Sequence, residues 1–122
     1  MTVLIDSWAW IEYFKSSEPG RRAKELIEGG RIIISTINVA EVFRHMLILS
    51  KKDAEDALSF MLKISFVVPV SVKLAKDAAL IKHEKKWGLG DSIVLATALQ
   101  HGAKVVTGDS DFKNEPSIIF LG

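Results

Sequence analysis

The sequence predicts an α/β fold of three layers, in which helices cover both faces of a mainly parallel central sheet. Short apolar runs rich in β-branched residues alternate along the chain with longer segments of helical periodicity. Continuous apolar runs are typical of parallel strands buried on both faces, and strand–helix alternation is typical of crossover units. No linker, repeat or low-complexity segment interrupts the 122 residues. We therefore expect a single domain over residues 1–122.

The predicted elements follow from apolar runs and from the residues that punctuate them. The predicted strands cover residues 3–5, 32–34, 66–70, 105–106 and 118–121. Pro69 indicates that the third strand ends early or lies near an edge of the sheet. The predicted helices cover residues 7–14, 22–27, 36–49, 53–62, 71–87 and 90–100. Residues 16–20 contain Pro19 and are expected to separate the first two helices.

The composition excludes several classes of protein. The chain has no Cys, so a disulfide scaffold, a thiolate nucleophile and a cysteine-ligated zinc site are ruled out. No apolar run approaches the roughly 18–20 residues of a membrane span, and the first residues lack the pattern of a signal peptide. We therefore expect a cytoplasmic protein without a membrane contact. The net charge of +1 and the pI of about 8.0 mean that any RNA contact depends on local basic patches.

Acidic residues stand where a parallel sheet places its ligands. Asp6 ends the first strand, Asp109 and Asp111 follow the fourth, and Asp91 begins a helix. Ligands of such sheets bind beyond the carboxyl ends of the strands. Each residue alone also fits a structural role, as a helix cap or a turn residue. Together in one cleft they would repel one another, and a divalent cation with oxygen ligands would relieve that repulsion.

Glu41 is harder to interpret from spacing. On a helical wheel it shares a polar face with Asn38, Arg44 and His45, away from the apolar residues of the same helix. Such a face fits either a site or an ordinary solvated surface. Periodicity does not decide between the two.

Four segments resemble the PIN-domain family, especially the single-domain VapC-like toxins of toxin–antitoxin pairs. They are Val3–Ser7, Ser35–Val42, Gly90–Ala98 and Val105–Phe112, and they occur in the family's order over nearly the whole chain. None of these motifs is specific alone, but their joint order is. The resemblance implies a PIN-like fold, a magnesium-dependent ribonuclease that cuts RNA, a homodimer and a small antitoxin partner.

The resemblance also implies a set of site residues. The expected catalytic acids are Asp6, Glu41, Asp91 and Asp109, with Asp111 as a candidate fifth member. Asp6, Asp91 and Asp109 would hold Mg²⁺ or Mn²⁺, because an oxygen-only ligand set favours these ions over zinc. Glu41 would hold a second ion or orient the attacking water.

Other side chains have weaker claims on function. Ser7 and Thr107 could orient the carboxylates by hydrogen bonds, or serve as a helix cap and a strand-end hydroxyl. RNA phosphates could be bound by four basic residues, which could equally be solvated: Arg44, Lys82, Lys85 and Lys86. Trp8 and Trp10 are expected in core or dimer packing rather than stacked on RNA bases.

The sequence supports four hypotheses about function. The first is a toxin-like endoribonuclease held inactive by an antitoxin, and the second is an RNA-processing nuclease without an antitoxin. The third is a non-catalytic dimeric binding module, against which the retention of all four acids argues. The fourth is a phosphoacceptor receiver domain, which is disfavoured because residues 68–70 lack the aspartate that such a domain needs at this strand end.

Overall fold

The computed structural model describes all residues, Met1–Gly122, as five strands and six helices with one short 3₁₀ turn. The strands are β1 Thr2–Ile5, β2 Arg31–Ser35, β3 Phe66–Val68, β4 Lys104–Thr107 and β5 Ile118–Phe120. The helices are α1 Ser7–Phe14, α2 Glu18–Gly29, α3 Thr36–Leu47, α4 Lys51–Ile64, α5 Val72–Lys85 and α6 Leu89–Gln100. The 3₁₀ turn covers Ser110–Phe112.

The strands form one sheet in the order β3-β2-β1-β4-β5, and every neighbouring pair is parallel. The predicted α/β fold is therefore confirmed, and the sheet is wholly parallel. β1 lies at the centre, where Ile5 is paired with Val106 of β4. All the carboxyl ends of the strands consequently meet at one edge of the sheet.

Alternate residues of the central strands bury opposite faces of the sheet. Val3 and Ile5 join a core with residues of α1 to α4, whereas Leu4 joins a core with residues of α5, α6 and the 3₁₀ turn. Successive side chains of a strand point to opposite faces, so both layers of helices are required to cover β1. The molecule therefore has the three layers that its apolar runs predict.

The predicted start of the second helix, at residue 22, is wrong for a physical reason. α2 begins at Glu18, because Ser17 accepts a hydrogen bond from the Gly20 amide and Pro19 stands in the first turn. A proline is tolerated there, since the first amides of a helix have no partner within it. The stretch predicted as a helix breaker is thus partly the start of the second helix.

Other ends differ by a few residues. α3 stops at Leu47 and α5 at Lys85, two residues before the predicted ends at 49 and 87. Lys86 adopts the left-handed conformation that ends α5, with φ of 61°. β3 stops before Pro69 and lies at the sheet edge, which confirms both expectations drawn from that proline.

Trp10 is completely buried and packs among the rings of Tyr13, Phe14 and Phe60. Its role is core packing, which is one of the two packing roles expected of it, and it offers no exposed surface to a partner. None of the six helices combines the length and the apolar composition that a membrane-spanning helix needs.

Candidate active site

Asp6 lies at the carboxyl edge of the sheet, directly after the central strand β1. It occupies the N-cap position of α1, but its side chain makes no capping hydrogen bond. Its Oδ2 instead accepts a hydrogen bond of 2.8 Å from Thr107 Oγ1 at the end of β4. The pairing of β1 with β4 brings these two strand ends together. The Asp6 side chain therefore does not cap α1, which was the structural alternative for this residue.

The carboxyl group of Asp6 is only 5% exposed, and this burial is the main reason that its pKa is raised to about 6. Hydrogen bonds from the Thr107 hydroxyl and the Ser7 backbone act in the opposite direction. The charges of Glu41 and Asp109 raise the pKa further. Asp6 thus lies in a neighbourhood of negative charge.

Asp91 lies in the first turn of α6, three residues after the N-cap Gly88. Its pKa is raised to about 7, first by burial and then by the charges of Asp109, Asp6 and Asp111. A carboxyl so perturbed binds a proton readily at neutral pH, or a cation in its place. The predicted acids after β1, after β4 and at the start of α6 therefore interact within one site.

The loop after β4 carries Asp109 and Asp111. The Asp109 amide donates to Thr107 Oγ1 at 3.0 Å, and Asp109 Oδ1 accepts from the Asp111 amide at 2.9 Å. One Asp109 oxygen therefore stabilises the turn, which is the structural role that the sequence analysis gave as the alternative to a ligand. Carboxylate oxygens of Asp91, Asp109 and Asp111 also lie within 4.8 Å of one another. This acidic cluster includes Asp111, whereas the predicted metal ligands were Asp6, Asp91 and Asp109.

Trp8 fixes the start of the same loop. Its ring lies against Gly108, and a Cβ atom at that position would overlap the ring. Trp8 is partly buried and packs against the core on the α1 face. Its role in the structure is packing, and this packing supports the residue that precedes Asp109.

Glu41 reaches the site from α3 although much of its side chain is exposed. Ser7 Oγ donates a hydrogen bond of 2.7 Å to Glu41 Oε1. The other oxygen, Oε2, faces Gly90 at the start of α6, where a Cβ atom would lie 3.1 Å away. Glu41 therefore lies between the residue after Asp6 and the residue before Asp91.

Asn38 is the residue that the sequence analysis missed as part of the site. Its Nδ2 donates to Ser7 Oγ at 2.9 Å and to Asp6 Oδ1 at 3.4 Å, and the residue is completely buried. The sequence feature that could have indicated its role is its position one turn before Glu41 on the same polar face of α3. Burial of that face could not be read from the periodicity of a single helix.

Of the four basic residues expected to bind RNA, two already have partners within the chain. Lys85 Nζ forms a salt bridge of 2.7 Å with Glu115, and Lys82 Nζ donates to the Trp87 carbonyl. Arg44 and Lys86 are exposed, and neither forms a salt bridge. Of the four basic residues, these two have the freest charges.

Comparison with known proteins agrees with this fold. The sequence pattern of the PIN domain matches residues 3–115, so the chain belongs to the PIN-domain family. No curated protein sequence matches the chain closely enough to count as a relative.

Solved structures share the fold over almost the whole chain. A chain of a toxin–antitoxin complex from Klebsiella pneumoniae is similar with a TM-score of 0.82 and 24% identity, covering 98% of each chain. VapBC2 from Rickettsia felis, bound to a DNA fragment of its promoter, gives 0.76 and 20%, covering 98% of this chain and 97% of the other. The sarcin-ricin loop cleaving toxin VapC20 from Mycobacterium tuberculosis gives 0.78 and 16%, covering 94% and 95%.

Proposed function

We propose that this PIN domain is an endoribonuclease that hydrolyses RNA phosphodiester bonds with Mg²⁺ or Mn²⁺, as the toxin of a VapBC-type toxin–antitoxin pair. The observation that carries the proposal is the convergence of carboxylates at one edge of the sheet. They lie after β1, on α3, on α6 and in the loop after β4, in parts of the chain that are distant in sequence. The five residues are Asp6, Glu41, Asp91, Asp109 and Asp111.

The residues present fit a divalent cation. The donor atoms of the acidic cluster are all carboxylate oxygens, which hard cations such as Mg²⁺ and Mn²⁺ prefer. A cation would also offset the mutual repulsion that raises the pKa of Asp91. We assign Asp6, Asp91 and Asp109 to the metal, and add Asp111 because its carboxylate lies within 4.8 Å of those of Asp91 and Asp109. When bound, the metal makes water more acidic and polarises a phosphodiester.

The remaining side chains would orient these groups and the substrate. Thr107 holds Asp6 Oδ2, and Ser7 holds Glu41 Oε1, so both carboxylates keep a defined orientation toward the cleft. We propose that Glu41 positions the attacking water or binds a second ion. Arg44 and Lys86 are proposed to bind RNA phosphates, with Lys82 and Lys85 contributing less because they have partners within the chain.

The proposed partners are a small antitoxin protein and a second copy of this chain. The toxin–antitoxin complexes with the same fold support the antitoxin partner. Large apolar side chains remain exposed at the end of α3 and beyond, where Ile48 is 74% and Leu49 67% exposed. Such a surface is consistent with a protein partner. A cytoplasmic location is proposed because the substrate and an antitoxin would both be there.

Metal-dependent RNA cleavage is the direct test. The parent protein should cut a structured or an unstructured RNA with Mg²⁺ or Mn²⁺ and lose this activity in EDTA. Asp91→Asn and Asp6→Asn should lose cleavage while keeping a cooperative thermal transition. Glu55→Gln, which removes an exposed carboxylate on α4, is the matched control and should cleave like the parent. Cleavage that persists in EDTA, or full activity of Asp91→Asn, would overturn the proposal.

A further inference from the structure

We propose that Asn38 is a positioning residue, whose amide group orients both Asp6 and Glu41 for metal binding and RNA cleavage. This inference rests on the function proposed above. It concerns a neutral residue that the fold places between two of the acids. Its basis is a chain of hydrogen bonds that links α3 to the end of β1.

The two amide hydrogens of Asn38 are both engaged. Nδ2 donates to Ser7 Oγ at 2.9 Å and to Asp6 Oδ1 at 3.4 Å. Asn38 is 0% exposed, so no bulk water can replace these donors. An amide side chain has two hydrogens to donate, which matches the two acceptors that it faces.

The direction of the Ser7 hydroxyl follows from this arrangement. Ser7 Oγ accepts a hydrogen from Asn38, and it has one hydrogen of its own to donate. That hydrogen points to Glu41 Oε1 at 2.7 Å. Asn38 therefore acts on Glu41 through Ser7, and fixes which way the hydroxyl is oriented.

Asp6 is held on both of its oxygens. Thr107 donates to Oδ2 at 2.8 Å, while Asn38 donates to Oδ1. Two donors on opposite oxygens restrict rotation of the carboxylate, so its free lone pairs keep one orientation. Without Asn38, only Thr107 would set the orientation of this buried group.

The orientation of the amide itself is set by the start of α3. The Ser35 amide donates to Asn38 Oδ1 at 3.4 Å, as part of a capping box at this helix end. The oxygen end of the amide thus faces the backbone, and the nitrogen end faces Asp6 and Ser7. This contact also gives Asn38 a purely structural role, which an experiment must separate from positioning.

Asn38→Leu removes both donors and keeps the same branching of heavy atoms. Ser35→Ala weakens the same helix cap without removing a contact to Asp6 or Ser7. We expect Asn38→Leu to weaken Mn²⁺ binding by about 10- to 100-fold in titration calorimetry, the usual range for groups that orient metal ligands. At saturating Mn²⁺ its kcat on RNA should fall more than its KM changes. Ser35→Ala should lower only the melting temperature. Asn114→Leu, at the other asparagine of the chain, should match the parent.

Several results would overturn the inference. One is an Asn38→Leu protein that melts cooperatively and keeps the parental Mn²⁺ affinity and kcat. Another is an equal loss of Mn²⁺ affinity in Ser35→Ala. If Asn38→Leu does not fold, Ser7→Ala decides, because it breaks the connection from Asn38 through Ser7 to Glu41 and leaves the bond from Asn38 to Asp6. Ser7→Ala should lower kcat, and a parental kcat would refute the role. A parent protein that binds no Mn²⁺ would instead reject the proposed function, and this inference with it.

Discussion

Asp6 and Asp91 have pKa values of about 6 and about 7, well above that of an ordinary aspartate. Both are buried at least in part, and both face other carboxylates. A carboxyl whose pKa is higher in the folded protein than in the unfolded chain binds more protons when folded. Its contribution to stability is therefore full at low pH and is lost as the pH rises through the folded pKa.

The first prediction concerns stability without metal. Asp91→Asn removes a group whose ionisation opposes folding. The difference in melting temperature between this variant and the parent should therefore shift in favour of the variant as the pH rises from about 4 to about 7. Thermal melts in EDTA across this range test the prediction. Glu55→Gln, at an exposed position, should show no such trend. A difference between Asp91→Asn and the parent that does not vary with pH would contradict the assigned cause.

The second prediction concerns stability with metal. Carboxylates must lose their protons before they bind a cation, so added Mn²⁺ should raise the parental melting temperature more at pH 8 than at pH 5.5. Asp6→Asn, Asp91→Asn and Asp111→Asn should each show a smaller rise, because an amide is a poorer ligand for a hard cation. If Mn²⁺ raises the melting temperature of Asp111→Asn as much as that of the parent, Asp111 only shapes the turn and is not a metal ligand.

At the residue scale, the sequence indicated the acids but not their hydrogen-bond partners. Asp6, Asp91 and Asp109 follow strand ends or begin a helix, and these places can be recognised from apolar runs. Whether Asn38 faces water or Asp6 depends on how α3 packs against α1, which one helix cannot reveal. The same holds for Glu41, whose polar face suited a solvated surface equally well.

At the element scale, the loop after β4 depends on close packing between Trp8 and Gly108. This loop carries Asp109 and begins the 3₁₀ turn. Because the ring occupies the space that a Cβ atom would need, a substitution must displace either α1 or the loop. Stability and site geometry are therefore connected at this contact.

The third prediction follows from that contact. Gly108→Ala should destabilise the fold by about 1–3 kcal/mol, as expected for overpacking, and should lower RNA cleavage. Gly29→Ala is the matched control, because nothing lies within 4 Å of a Cβ atom there. In the helix α2, alanine should be neutral or stabilising by up to about 1 kcal/mol. Chemical denaturation of both variants tests this, and equal stabilities would contradict it.

Helix ends show what local sequence can and cannot define. Pro69 correctly indicated a short edge strand, because a proline cannot donate within a sheet. Pro19 was misread, since a proline is compatible with both a loop and the first turn of a helix. Ser17 decides between them by capping α2, and its cap depends on local backbone geometry.

At the scale of the whole molecule, strand–helix alternation was sufficient to predict the layered α/β fold. The order of strands in the sheet was not predicted, because it depends on which buried faces fit together. That order places β1 between β2 and β4 and so creates the site. The surface left for partners is likewise a property of the assembled chain, as complete burial of Trp10 shows.

The fourth prediction is a homodimer in solution. Sedimentation at micromolar concentration should give about twice the 13.5 kDa mass of one chain. The melting temperature should rise with protein concentration, because association stabilises the folded state by mass action. A single species of monomer mass, with a concentration-independent melting temperature, would contradict it.

The contact between Asp6 and Thr107 joins residues that are 101 positions apart. A growing polypeptide on the ribosome makes Asp6 first and lacks β4 until nearly all of these residues have been added. During that time the central strand has no neighbour on one side, and Asp91 and Asp109 have yet to reach it. A nascent chain therefore cannot assemble the acidic site before β4 and the loop that follows it have been synthesised.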